Sequence, residues 1–89
     1  MRFEFDRAKS ISTKFKHGLD FGEAQELWKD WTIIIPAKVT AGEPRYAVLG
    51  TIGGQAHTAI IAYRGATIRI IGVRPSNRVE KNYYDKNTP

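Results

Sequence analysis

Two short glycine-bearing breaks constrain this 89-residue chain more than any other feature, because they divide its second half into strands with no room to cross over. Runs rich in β-branched and aromatic residues occupy Arg45 to Thr51, His57 to Tyr63 and Ala66 to Val73, and Gly53-Gly54 and Arg64-Gly65 separate them. Separations this short make antiparallel hairpins. With a fourth run at Thr32 to Ile35, the pattern predicts a meander of about four strands. The intervening stretch Pro36 to Pro44, with Gly42 and two prolines, reads as an exposed loop.

The first half is punctuated for helices. Phe3 and Phe5 alternate with Arg2, Glu4 and Asp6, the pattern of a short strand with one face inward. Asp6 can then cap a helix from Arg7 to His17, in which Ala8, Ile11 and Phe15 fall at helical spacing and Gly18 follows a basic last turn. Asp20 and Glu23 form a capping-box pattern, with Leu19 and Ala24 placed as a hydrophobic staple. The helix they open should end near Asp30 and bury one face made of Ala24, Leu27, Trp28 and Trp31. Pro75 stops the last strand, and Asn77 with Glu80 repeats the capping pattern before a helix from Arg78 to about Asp85. The expected fold is α+β and one domain over residues 1–89: a short N-terminal strand, two helices on one face of an antiparallel meander, and a C-terminal helix.

With 42% hydrophobic and 26% charged residues, the chain has the composition of a folded protein rather than of a disordered tail. Its core must be small, since a domain of this size buries only roughly 60 to 65 per cent of the surface of its unfolded chain. It has no cysteine, which removes disulfide frameworks and thiolate metal sites and favours a reducing compartment. The apolar stretches are far shorter than the roughly 20 residues of a membrane-spanning helix. Acids at Glu4 and Asp6 stand where a signal peptide would be continuously apolar, so a cytoplasmic protein is expected. The net charge of +5 sits at the ends: residues 1–20 carry five bases and three acids, 21–63 three and four, and 64–89 six and two. Such basic ends suit a polyanion, or equally an acidic protein partner.

No P-loop or metal-site motif is present, and the two histidines stand 40 positions apart without patterned acidic neighbours, so neither a metal nor another cofactor is expected. What remains is Lys16 and His17 after the first helix, Arg69 and Arg74 on the last strand, and Arg78, Glu80, Tyr83 and Tyr84 on the last helix. Metal-free RNA cleavage needs a base for the 2′-hydroxyl, an acid for the leaving 5′-oxygen and fixed cations for the charge that builds on phosphate. Arginine suits the last role and histidine or glutamate the first two. Each residue also has a plainer role. Lys16 and His17 complement a helix dipole, Arg69 can face solvent, Glu80 caps a helix, and Tyr83 falls four residues after Val79 on the expected core side. In a regular strand Arg69 and Arg74 point to opposite faces, and they share one only if Gly72 marks a bulge or the strand ends before Pro75.

Taken together, Phe3-Glu4-Phe5-Asp6, Lys16-His17-Gly18, Asp20-Phe21 with Glu23-Ala24, then Glu43, Arg45 and Gly50, and finally Arg69 to Arg74 with Arg78, Glu80 and Tyr83-Tyr84, resemble the BrnT toxin family. The resemblance covers about residues 3–28 and 43–85, and its specificity lies in the order and spacing of the three blocks. It implies a RelE-like fold, ribonuclease activity that blocks translation, and a BrnA-like ribbon-helix-helix antitoxin through which the pair would bind its own operator DNA. It points to Lys16, His17, Arg69, Arg74 and Glu80 as the catalytic set, with Arg45, Arg78, Tyr83 and Tyr84 contacting RNA and Glu43 among the matching polar positions. The chain departs from the family pattern at Phe5, Arg7, Thr13 and Gly72, none of which removes a proton-transfer group. A domain that binds nucleic acid or protein on the same fold without chemistry is the alternative. Retention of Lys16, His17 and Glu80 beside the arginines distinguishes the two.

Overall fold

The computed structural model describes residues 1–89. Strands β1 (Arg2–Phe5), β2 (Ile33–Pro36), β3 (Tyr46–Ile52), β4 (Gln55–Arg64) and β5 (Thr67–Pro75) form one mixed sheet in the order β1-β5-β4-β3-β2. The meander β2 to β5 is antiparallel, as the short breaks require, and β1 adds to it in parallel along β5. Gly53 and Gly54 both adopt positive φ (58° and 79°), the conformation a two-residue hairpin turn demands. In the expected loop, Ala41 and Gly42 likewise have positive φ, and Thr40 and Glu43 close the turn through backbone hydrogen bonds in both directions.

Three α-helices complete the fold: α1 (Arg7–His17), α2 (Phe21–Ala24) and α3 (Arg78–Asn87). All three caps form, at Asp6, Asp20 and Asn77, the last two as full capping boxes. The second helix is shorter than its apolar spacing implied. After Ala24 it tightens into a 3-10 helix at Gln25–Lys29, so Leu27 remains fully buried while Trp31 turns out to 54% exposure. That 3-10 segment lies close against β3 at Gly50, where an added Cβ would stand 2.8 Å from Leu27 Cδ2.

The sheet has a packed face and a partly covered one. Phe21, Ala24 and Leu27 press on Val48, Ala59, Ile61, Ile68, Ile70 and Val73, with Phe3 and Phe5 closing the side of this core. On the opposite face, Tyr84 of α3 packs with Ala47 and Leu49 beside Ile33, Ile35 and Ile60.

The orientation of α1 differs from the expectation. Its inward positions are Ser10, which is buried, with Thr13 and His17 half-buried, whereas Ala8, Ile11 and Phe15 face solvent. A contact 11 residues away in sequence goes with this orientation: Ser10 Oγ accepts the buried Phe21 N–H at 2.9 Å, which ties the helix to the turn that follows it. The apolar face of the sheet is filled instead by Phe21, Ala24 and Leu27. No helix is long and apolar enough to cross a membrane.

Candidate functional site

β1 ends at Phe5 opposite Ile70, so the last residues of β5 have no strand partner on that side, and α1 follows directly after the Asp6 cap. Between α1 and this part of β5 lies a cleft of about 340 Å³, lined by Ser12, Thr13, Lys16, His17, Ile60, Gly72, Val73 and Arg74. Lys16 and His17 reach it from the last turn of α1, which Gly18 closes in left-handed conformation (φ 77°) by donating to Lys14 O at 2.8 Å. Gly72 is part of the lining, and a Cβ there would meet nothing within 4 Å. Ser12, Thr13 and Gly72 belong to this lining, although the sequence marked Thr13 and Gly72 only as departures from the family pattern, Gly72 also as a candidate bulge, and did not mark Ser12. The available signal for the first two was their placement one helical turn before Lys16 and His17.

The register of β5 resolves the parity problem of its two arginines. Ile60 pairs with Gly72 but the next β4 residue, Ile61, pairs with Ile70, leaving Ile71 as the extra residue of a bulge. Arg69 then lies opposite Ala62 and Arg74 opposite Thr58, two β4 positions of the same parity, so both arginines occupy one face.

They nevertheless do different things. Arg74 lines the cleft, whereas Arg69 stands five residues away, roughly 15 Å along a strand, and donates to Glu4 at 2.7 Å. Glu4 is also 4.0 Å from Arg64, which pairs with Glu43 at 3.1 Å, so Arg69 and Glu43 belong to an ion-pair chain outside the cleft.

Arg74 is held by Glu80 with both forks, Nη1 to Oε1 at 2.6 Å and Nη2 to Oε2 at 2.8 Å. Glu80 also accepts from Asn77 N at 2.9 Å and from the fully buried Thr58 hydroxyl at 3.1 Å, and Thr58 pairs in turn with Ser76 at 2.8 Å. The Arg74 guanidinium, chiefly through its hydrogen bonds, holds the Glu80 carboxyl below the usual carboxylate range, while Glu80 raises the pKa of Arg74. Glu80 is therefore an ionised anchor for Arg74 rather than a free acid or base, a role that its capping position alone did not reveal. Thr58 and Ser76 complete the anchor and carried no motif that could have marked them.

This coupling has a pH signature. Because the folded carboxyl titrates below its unfolded value, Glu80 contributes stability above about pH 4 that is lost as pH falls through the folded value. Thermal melts of wild type should thus drop more steeply below about pH 4 than those of Glu80→Gln, and parallel curves would show that the pair adds nothing.

Of the expected RNA contacts, Arg78 is exposed at the start of α3, and Tyr83 is exposed beside Val79 rather than packed inward with it. Tyr84 is the inward residue of that helix: it is 8% exposed, its hydroxyl donates to Trp31 O at 2.7 Å, and burial raises its pKa. It is a core side chain and cannot stack on a base in this conformation. Arg45 precedes β3 outside the cleft lining, with its Nε buried and without a partner.

The family model described as the ribonuclease toxin BrnT of type II toxin-antitoxin systems matches residues 5–80, a span that takes in the cleft, the bulged strand and the Arg74–Glu80 pair. Comparison with curated proteins gives no match. The protein is therefore a toxin of the RNA-cleaving class, one half of a two-protein system. It belongs to the BrnT family, acts on RNA and has an antitoxin as its partner.

Proposed function

We propose that the cleft between α1 and β5 is where RNA is cut, without a metal ion, by His17, Lys16 and Arg74. The observation that carries this reading is the composition of the cleft, which brings one imidazole, one ammonium and one anchored guanidinium around a floor with no side chain at Gly72 and no carboxylate in its lining. In the proposed step the 2′-oxygen attacks phosphorus and its proton passes to the His17 imidazole. The bond to the 5′-oxygen breaks and that oxygen takes a proton from the Lys16 ammonium, leaving a 2′,3′-cyclic phosphate and a 5′-hydroxyl. Arg74 faces the charge that builds on the phosphate, and Glu80 holds it in position. Arg69, Arg45, Arg78 and Tyr83 lie outside the cleft and serve flanking parts of the RNA.

The same reading takes residues 1–89 as one RelE-like domain working in the cytoplasm, supported by the antiparallel meander with helices on its packed face. Its antitoxin is of the BrnA ribbon-helix-helix kind, and operator DNA is bound only through the pair. Purified toxin freed of antitoxin is expected to cut RNA equally well in excess chelator, with 2′,3′-cyclic phosphate ends. Loss of cutting on chelation, restored by a divalent ion, would overturn the metal-free mechanism.

A further inference from the structure

We infer that the outward face of α1 is a docking surface for an acidic, amphipathic segment of the antitoxin, which closes the cleft from its α1 side. A surface helix normally turns its apolar stripe to the core and its polar residues to water. α1 does the reverse: Ser10 is buried while Ile11 is 55% and Phe15 88% exposed, with Ala8 one turn before Ile11 also in solvent. These three positions lie on one side of the helix, so they form a continuous stripe of the kind that another helix covers through residues at matching spacing.

The charges around the stripe say what chemistry would cover it. Arg7 to His17 contains Arg7, Lys9, Lys14 and Lys16 and no acid. Only Lys14 has a carboxylate partner, Glu23 at 2.7 Å. Arg7, Lys9 and Lys16 thus flank an apolar stripe with unneutralised positive charge, which fits apolar side chains framed by Asp or Glu. A second copy of the chain would set these cations against each other. An RNA base would find one aromatic ring and two aliphatic side chains rather than a stacking platform.

The position of the stripe links docking to inhibition. Ser12 and Lys16, which follow Ile11 and Phe15 by one residue, line the cleft. A segment lying on the stripe therefore borders the cleft mouth, where its carboxylates can meet Lys16 and compete with phosphate for Arg74. The inference rests on membership in a toxin-antitoxin family, which supplies the partner, and it adds where and by what chemistry that partner binds.

The test uses the toxin and the antitoxin encoded with it. Phe15→Glu replaces an exposed ring with a charge that repels an acidic partner and leaves the packed core untouched. The free variant should cut RNA at the wild-type rate, while its affinity for the antitoxin falls about 30-fold or more, as for a central interface residue, and co-expressed antitoxin no longer rescues growth. Phe15→Leu, which keeps an apolar side chain, should restore much of the binding. Undiminished antitoxin affinity in Phe15→Glu would overturn the proposal. So would reduced RNA cutting with antitoxin binding intact, which would make the stripe a substrate surface, or a wild-type toxin dimer that Phe15→Glu converts to monomer with antitoxin binding intact. The cutting rate of free wild-type toxin is read separately, so failure of the ribonuclease mechanism is distinguishable from failure of the docking surface.

Discussion

Arg74→Ala is expected to lower RNA cleavage about 100-fold or more, the effect of removing one preorganised donor from a developing negative charge. Arg74 is the one arginine that lines the cleft, and its guanidinium is fixed by a bidentate pair with Glu80 before any substrate arrives. Arg74→Lys should not rescue the rate, because an ammonium cannot hold both Glu80 oxygens and still present a planar fork to phosphate. The substitution has a structural cost as well. It leaves the half-buried Glu80 carboxylate, its side chain 15% exposed, without its cation, a loss of about 1 to 3 kcal/mol, the range for a desolvated polar group left without its partner. The Tm of Arg74→Ala should fall for that reason alone. The double variant Arg74→Ala with Glu80→Gln separates the two effects: Tm should recover substantially while cleavage stays low. Cleavage at the wild-type rate by a folded Arg74→Ala protein would remove the proposed phosphate site.

How much of this was legible in the sequence follows from the range over which each interaction acts. The caps at Asp6, Asp20 and Asn77 and the Gly53-Gly54 turn involve neighbours within three residues, and all of them form. The antiparallel meander follows from the turns. What escaped depends on partners distant in the chain. The apolar spacing of Ala8, Ile11 and Phe15 is a true helical stripe, but a hydrogen bond from Phe21 N to Ser10 Oγ across 11 residues turns the helix the other way. The same limit applies to α3, where Val79 and Tyr83 share helical spacing yet Tyr84 is the residue that reaches Ala47 and Leu49.

The site shows the same division. Lys16 and His17 were recognisable from their place before Gly18, since the helix C-terminus that ends there also aims them at the cleft. The shared face of Arg69 and Arg74 required a bulge whose position, at Ile71, depends on pairing with β4 rather than on any property of Gly72 alone. The separation of their tasks could be seen only once Glu4 and Glu80 were placed, 65 and 6 residues away in sequence. A carboxylate three residues after Asn77 reads as a cap, and it is one, yet its capping oxygen, Oε1, also accepts from Nη1 of the arginine of the cleft.

His17→Ala is expected to reduce cleavage about 100-fold to 10,000-fold, the range for loss of a positioned proton-transfer group. The imidazole is half-buried at the cleft wall and no side-chain hydrogen bond ties it to another role. Its structural contribution is its charge near the C-terminus of α1, typically about 0.3 to 1 kcal/mol when protonated, and Gly18 closes that helix through its own backbone. Tm should therefore change little. The activity loss should appear mainly in kcat, because the imidazole acts on a proton and not on the resting charge of the phosphate. Lys16→Ala should also raise KM, since its ammonium attracts the backbone as well as donating a proton. Two readouts separate proton transfer from simple cleft shape: the pH-rate profile of His17→Ala should lose one limb, and added imidazole should return part of the rate. A His17→Gln variant, similar in size but without a titrating group, should be as impaired as His17→Ala. If His17→Gln instead cuts RNA at the wild-type rate while Arg74→Ala does not, the cleft still binds the scissile phosphate but the base lies elsewhere, and His17 serves only the end of its helix.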